Sequence, residues 1–188
     1  MKVLGKVAAA ICAVNALLGA VFAWLSLGIV LVCFSVVVLR YVFATSFVWM
    51  QDLYIWLSGA MFTAVGGFAL LKDSHVRVDI FYRPASERRK AWVDLIGTVL
   101  FLLPFMYVVV VYSFPFVSRA WSYAEGSANV GGMPGLFVLK SFILLFAVSV
   151  ALQGVAMICR SILVLGDRGD LVPDRMRYDL LSSEEGVA

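Results

Sequence analysis

Long apolar runs alternate with short polar knots along this chain, and the knots fall at the ends of the runs. The cleanest run is Leu53–Leu71, nineteen residues without a charge. Arg40-Tyr41-Val42-Phe43 and Trp49-Met50-Gln51-Asp52 precede it, and Lys72-Asp73-Ser74-His75-Val76-Arg77-Val78-Asp79 follows it. That length and polarity predict a helix that crosses a bilayer, with recognition confined to its two ends. Three further spans are predicted at about 7–39, 95–114 and 136–165. The first holds thirty-three residues without a charge. At about 1.5 Å per residue it reaches about 50 Å against a hydrocarbon core of about 30 Å, so it must tilt or protrude.

Composition agrees with the pattern. The chain is 63% hydrophobic and only 14% charged over 188 residues, where a soluble surface needs roughly a quarter charged residues. The expected fold is an all-α integral membrane protein of four transmembrane helices, joined by amphipathic or interfacial segments. One membrane domain is expected over 1–166 and a polar tail, frayed or disordered, over 167–188. Lys2 and Lys6 ahead of Val21-Phe22-Ala23 resemble a cleaved leader, but the apolar run continues sixteen residues past Ala23. A signal core is shorter, so the first helix is expected to be retained.

Charge sets the expected orientation. Twelve of the fifteen lysines and arginines fall at the N-terminus, in the middle loop and at the C-terminus, leaving Arg40, Arg119 and Lys140 on the other side. Both termini are therefore expected to be cytoplasmic. The net charge of +3 is explained by these clusters and gives no reason to expect nucleic acid. Arg88, Arg89 and Lys90 suit the inner leaflet and its anionic lipids. Ser86 is a possible N-cap for the helix that carries them. In the preceding segment, His75, Arg77 and Asp79 alternate with Val76, Val78 and Ile80, a period of two. Gly131-Gly132-Met133-Pro134-Gly135 predicts a turn between the last two spans.

The chemistry-bearing residues are few. No ionisable residue is expected mid-span, where a pump or transporter that does its own coupling usually keeps one. Cys12, Cys33 and Cys159 lack paired spacing and read as packing residues. His75 is the single histidine, too few for a metal or haem site. Pro104 and Pro115 predict a kink in the third span. Lys140 is expected to snorkel outward or to pair with Glu125. Gly59, Thr63 and Gly67 on the second span, and Ala8, Cys12, Ala16 and Ala20 on the first, form stripes of small residues that let helix backbones approach. No cofactor or metal is expected in this chain.

The ends of the second span, Arg40-Tyr41-Val42-Phe43, Trp49-Met50-Gln51-Asp52 and His75-Val76-Arg77-Val78-Asp79, resemble the small permease (DctQ-like) subunit of tripartite ATP-independent periplasmic (TRAP) transporters. Glu125-Gly126-Ser127, Gly132-Met133-Pro134, Lys140 and Leu152-Gln153-Gly154 are similar to the same family. The resemblance covers about Val7 to Arg160, and its most specific piece is the His75-x-Arg77-x-Asp79 end. The family often has two acidic residues after the tryptophan, where this chain has Gln51-Asp52.

The resemblance implies a division of labour in a bacterial inner membrane. A periplasmic substrate-binding protein captures an organic acid, a large multi-span membrane subunit moves it with sodium, and the small subunit braces the large one. Sodium is then expected in the large partner and not in this chain. Arg40, Trp49, Gln51, Asp52, Glu125 and Lys140 become candidate contacts on the periplasmic side, and His75, Arg77 and Asp79 candidate contacts on the cytoplasmic side. The competing readings are an orphan four-helix membrane assembly protein and a subunit of a membrane redox enzyme.

Overall fold

The computed structural model describes residues 1–72 and 85–178, and these fold as helices joined by short loops. Helices α1 (Lys2–Ala23) and α2 (Leu25–Val42) form the first span, and α3 (Val48–Ala64) and α4 (Gly66–Leu71) the second. Helix α5 (Glu87–Gly97), a π turn at Thr98–Leu102 and α6 (Leu103–Ser122) form the third, and α7 (Leu136–Leu165) is the fourth. All four are long and apolar enough to cross a membrane. One end of the bundle, the terminal end, carries Met1 and the segment after α7. The opposite loop end carries residues 43–47 and 123–135.

The helices outrun the apolar spans from which they were predicted. The first extends to Lys2–Val42 and the third to Glu87–Ser122, because Lys, Arg and Glu are good helix formers and need not stop where hydrocarbon stops. The connection expected over Arg40–Asp52 shrinks for the same reason. Arg40 is still in α2, Trp49–Asp52 already belong to α3, and only 43–47 are non-helical.

Breaks within spans have local causes. At Trp24 the turn tightens, with Trp24 N–H donating to Val21 O at 3.3 Å. Between α3 and α4, Val65 sits at φ −86°, ψ 1°, just before the permissive Gly66-Gly67 pair. In the third span Pro104 supplies no N–H. The chain accommodates it with the preceding π turn, in which Leu103 N–H reaches back to Thr98 O. Pro115 lies within α6 without ending it.

Helix α7 is the hub and packs against every other span that carries buried residues. Lipid supplies no hydrophobic drive between helices, so close approach and polar contacts must hold them. At Gly67 the approach is to another helix's backbone: a Cβ there would lie 2.6 Å from Asn15 Oδ1 and 2.8 Å from Ser149 O. In that tight place Asn15 Nδ2 donates to Gln153 Oε1 at 2.8 Å and to Ser149 O at 3.4 Å, joining α1 to α7. Gly154 makes room for the π turn, since a Cβ would stand 2.5 Å from Leu102 Cδ2. Gly59 is less demanding, with Leu139 Cδ1 at 3.4 Å. Thr63 Oγ1 donates to its own helix at Gly59 O, 2.8 Å away. On the first span Ala8 and Cys12 are buried while Ala20 is exposed, so that stripe buries its first half. Cys159 is buried and Cys33 half-buried. In contrast to α7, α2 buries no residue.

The polar end after Asp167 is not frayed over residues 167–178. Two short 3₁₀ turns, Gly169–Leu171 and Asp174–Met176, carry it across the terminal end of the bundle. Val172, Met176 and Tyr178 are buried there. Their apolar surface offsets the polarity that made the segment read as disordered. Leu171 O sits where a Cβ on Gly5 would be 2.6 Å away, so the segment touches the start of α1.

Candidate functional site

Polar side chains concentrate at the two ends of the bundle. At the loop end, Asp52, the fifth residue of α3, is buried although its neighbours are half-buried. Its Oδ1 accepts from Asn129 Nδ2 and its Oδ2 from the Met133 backbone N–H, both at 3.0 Å. The loop is also tied to itself, with Ser127 N–H donating to Met133 O at 3.0 Å and Gly132 N–H to Asn129 O at 2.9 Å. Gly132 has to be glycine for Asp52 to enter, because a Cβ would lie 2.5 Å from Oδ2. Both carboxylate oxygens of Asp52 thus face the chain's own loop.

A second contact fixes the same loop from α7. Lys140 Nζ pairs with Glu125 Oε2 at 2.5 Å and lies 4.1 Å from the centre of the Phe116 ring. Of the two outcomes expected for Lys140, pairing with Glu125 is the one the structure has. Trp121 Nε1 donates to Ser141 Oγ at 2.8 Å, and its ring meets Phe137 edge-on at 4.6 Å. The remaining predicted residues at this end stand apart. Gln51 donates to Ser46 Oγ at 3.1 Å, Trp49 tilts against Phe47, and Arg40 is exposed on α2.

The terminal end holds a cluster that the sequence pattern did not single out. Asp94 on α5 and Arg160 on α7 form an ion pair at 2.5 Å, with both side chains under a tenth exposed. The strap of residues 167–178 completes it. Tyr178 OH donates to the same Asp94 oxygen at 2.8 Å, and Arg160 Nη1 donates to Met176 O at 3.3 Å. The guanidinium lies 4.3 Å from the centre of the Tyr178 ring. In the sequence Arg160 is one of several charges near the end of the fourth span. The available signal was an acid at the edge of one apolar run, Asp94, and a base within another, Arg160, since charges near hydrocarbon tend to pair. Ser86 occupies the N-cap position of α5, but its side chain makes no capping bond. His75, Arg77 and Asp79 lie outside the described residues.

These arrangements use charge to fasten loops, strap and helices together. Gln153 joins α7 to α1, and Gly154 lets α7 approach the π turn. The class so defined is a small four-span helical membrane protein with long, partly unpacked helices. The family model of the DctQ component of tripartite ATP-independent periplasmic transporters matches residues 29–164. The chain belongs to that family, and is thus a small subunit of a TRAP transporter. Searches among curated proteins and among solved structures found no match.

Proposed function

We propose that this chain braces the large membrane subunit of a TRAP transporter and presents a docking surface to the periplasmic substrate-binding protein. The transport served is sodium-coupled uptake of an organic acid across a bacterial inner membrane. Both termini lie in the cytoplasm, which makes the loop end periplasmic, and the membrane domain spans 1–166. The large subunit carries the sodium; this chain carries no cofactor and has no enzymatic step of its own.

The observation that supports the reading is where the buried polar groups go. Asp52 holds the 127–133 loop, and Asp94 with Arg160 and Tyr178 holds the strap. Such bonds stiffen a scaffold at its ends. The pinned loop then gives the binding protein a fixed surface, and Arg40 and Trp49 are exposed at the same end of the bundle. His75, Arg77 and Asp79 are proposed to contact the large subunit on the cytoplasmic side.

Reconstitution tests this directly. The large subunit is placed in liposomes with and without this chain, and sodium-driven uptake of the acid carried by the binding protein is measured. Uptake is expected to require this chain; equal uptake without it would reject the bracing role. Arg40→Glu should lower the stimulation given by the binding protein while the two membrane subunits still co-purify. Loss of both together would make Arg40 a structural residue instead.

A further inference from the structure

Tyr107 on α6 is the thirteenth of the twenty-four uncharged residues between Asp94 and Arg119. At about 1.5 Å per residue it stands about 18 Å from either flanking charge, at the middle of the span. It is 71% exposed, and its hydroxyl has no hydrogen-bond partner among the described residues. Tyrosine ordinarily sits at the membrane interface, where its phenol meets water and headgroups. From mid-span the side chain is too short to reach either interface, and hydrocarbon offers the hydroxyl no partner.

Smaller hydroxyls in these helices escape the difficulty by bonding their own backbone. Ser26 Oγ donates to Ala23 O at 2.7 Å and Ser35 Oγ to Leu31 O at 2.8 Å, both on the first span. The exposed face of α2 therefore leaves these hydroxyls satisfied in lipid. A phenol cannot fold back onto its helix in this way. On the same face as Tyr107, the side chains of Val111 and Phe114 are also exposed. Spaced four and three apart, Tyr107, Val111 and Phe114 form one strip along the third span.

We propose that this strip of α6 is the surface on which the large membrane subunit seats, with a carbonyl or polar side chain of that subunit accepting a hydrogen bond from Tyr107 near the bilayer midplane. The inference rests on the reading of this chain as a TRAP small subunit. A lipid acyl chain would cover the aromatic rings but would leave the hydroxyl unpaired. A protein helix covers both, and polar contacts of this kind are what holds helices together in lipid.

The test uses the assembled complex in its native membrane, with a photoreactive amino acid placed at position 107 or, for comparison, at Phe34 on α2. Position 107 is expected to give an adduct of this chain with the large subunit, and position 34 far less of it. Only lipid adducts at 107, or adducts between two copies of this chain, while the large subunit co-purifies, would overturn the proposal and leave the transporter reading standing. Failure of the large subunit to co-purify with the unaltered chain would defeat both. Tyr107→Phe removes the hydroxyl alone and keeps the ring that packs. It should weaken retention of the large subunit in detergent by roughly three- to tenfold. Unchanged retention would show that the hydroxyl has no acceptor in the partner.

Discussion

Asp94 and Arg160 are separated by 66 positions in the chain yet meet at 2.5 Å, and Tyr178 from the C-terminal strap shares the same carboxylate oxygen. One buried ion pair thereby joins α5, α7 and the strap. A buried pair repays its desolvation only when its remaining hydrogen-bonding capacity is used, and here Tyr178 and Met176 O use part of it.

Removing one member should be costly. Asp94→Ala leaves Arg160 buried without its counter-charge, and a loss of about 3–5 kcal/mol is expected. Thermal unfolding in detergent would show it as a lowered midpoint. Tyr178→Phe removes the bond to the Asp94 carboxylate and should cost about 1.5–3 kcal/mol. Replacing the pair together, as Asp94→Leu with Arg160→Met, should recover most of the stability lost by Asp94→Ala.

The Glu125–Lys140 pair is expected to behave differently. The Glu125 side chain is 39% exposed and that of Lys140 16% exposed, so solvent and salt screen the pair. Glu125→Gln should cost less than about 1 kcal/mol. The difference from the unaltered protein should shrink further in high salt, whereas the cost of Asp94→Ala should not. Unfolding midpoints at low and high salt check both statements.

Two glycines of one sequence stripe should separate sharply. Gly67→Ala drives a methyl group against Asn15 and the Ser149 backbone, with an expected loss of about 1–3 kcal/mol. At Gly59 the nearest atom is the end of a leucine side chain at 3.4 Å. Gly59→Ala should be neutral or slightly stabilising, because alanine is the better helix former. Thermal unfolding of the two variants in the same detergent decides it, and equal losses would contradict this packing.

Asp52→Asn should free the loop without melting the bundle. An asparagine offers one oxygen where Asp52 offers two to Asn129 and Met133. Hydrogen exchange at the Met133 amide should accelerate, and proteolytic cleavage within 123–135 should increase. Exchange in α7 should remain unchanged. Loss of protection throughout the chain would mean that Asp52 supports the bundle as well as the loop.

Asn15 and Gln153 are expected to be energetically coupled. A double-mutant cycle with Asn15→Leu and Gln153→Leu should return about 0.6 kcal/mol, the average for hydrogen bonds between helices in membranes, and no more than about 1.7 kcal/mol. A coupling near zero would mean that close packing at Gly67 alone holds α1 to α7.

Some of this was legible before any coordinates. The four spans follow from runs without charge, since an unpaired charge in hydrocarbon is costly enough to be read in a single line of sequence. The Lys140–Glu125 contact was within reach because the two residues flank one short loop. The folding of residues 167–178 was not legible. Their composition is polar, and the few apolar side chains that matter there, Val172 and Met176, show no period.

Hydropathy and charge along the chain thus determined the number of spans, the helical class and the concentration of polar residues at the ends, because each depends on the solvent around a residue and not on its neighbours in space. Tertiary structure alone decided which polar residues meet. It paired Asp94 with Arg160 and turned Asp52 inward onto the loop. It also made Gly67, and not Gly59, the member of the stripe that meets another helix's backbone. These outcomes depend on which helix faces meet and on the depth at which they meet. Those relations join residues far apart in the chain, and no local pattern carries them.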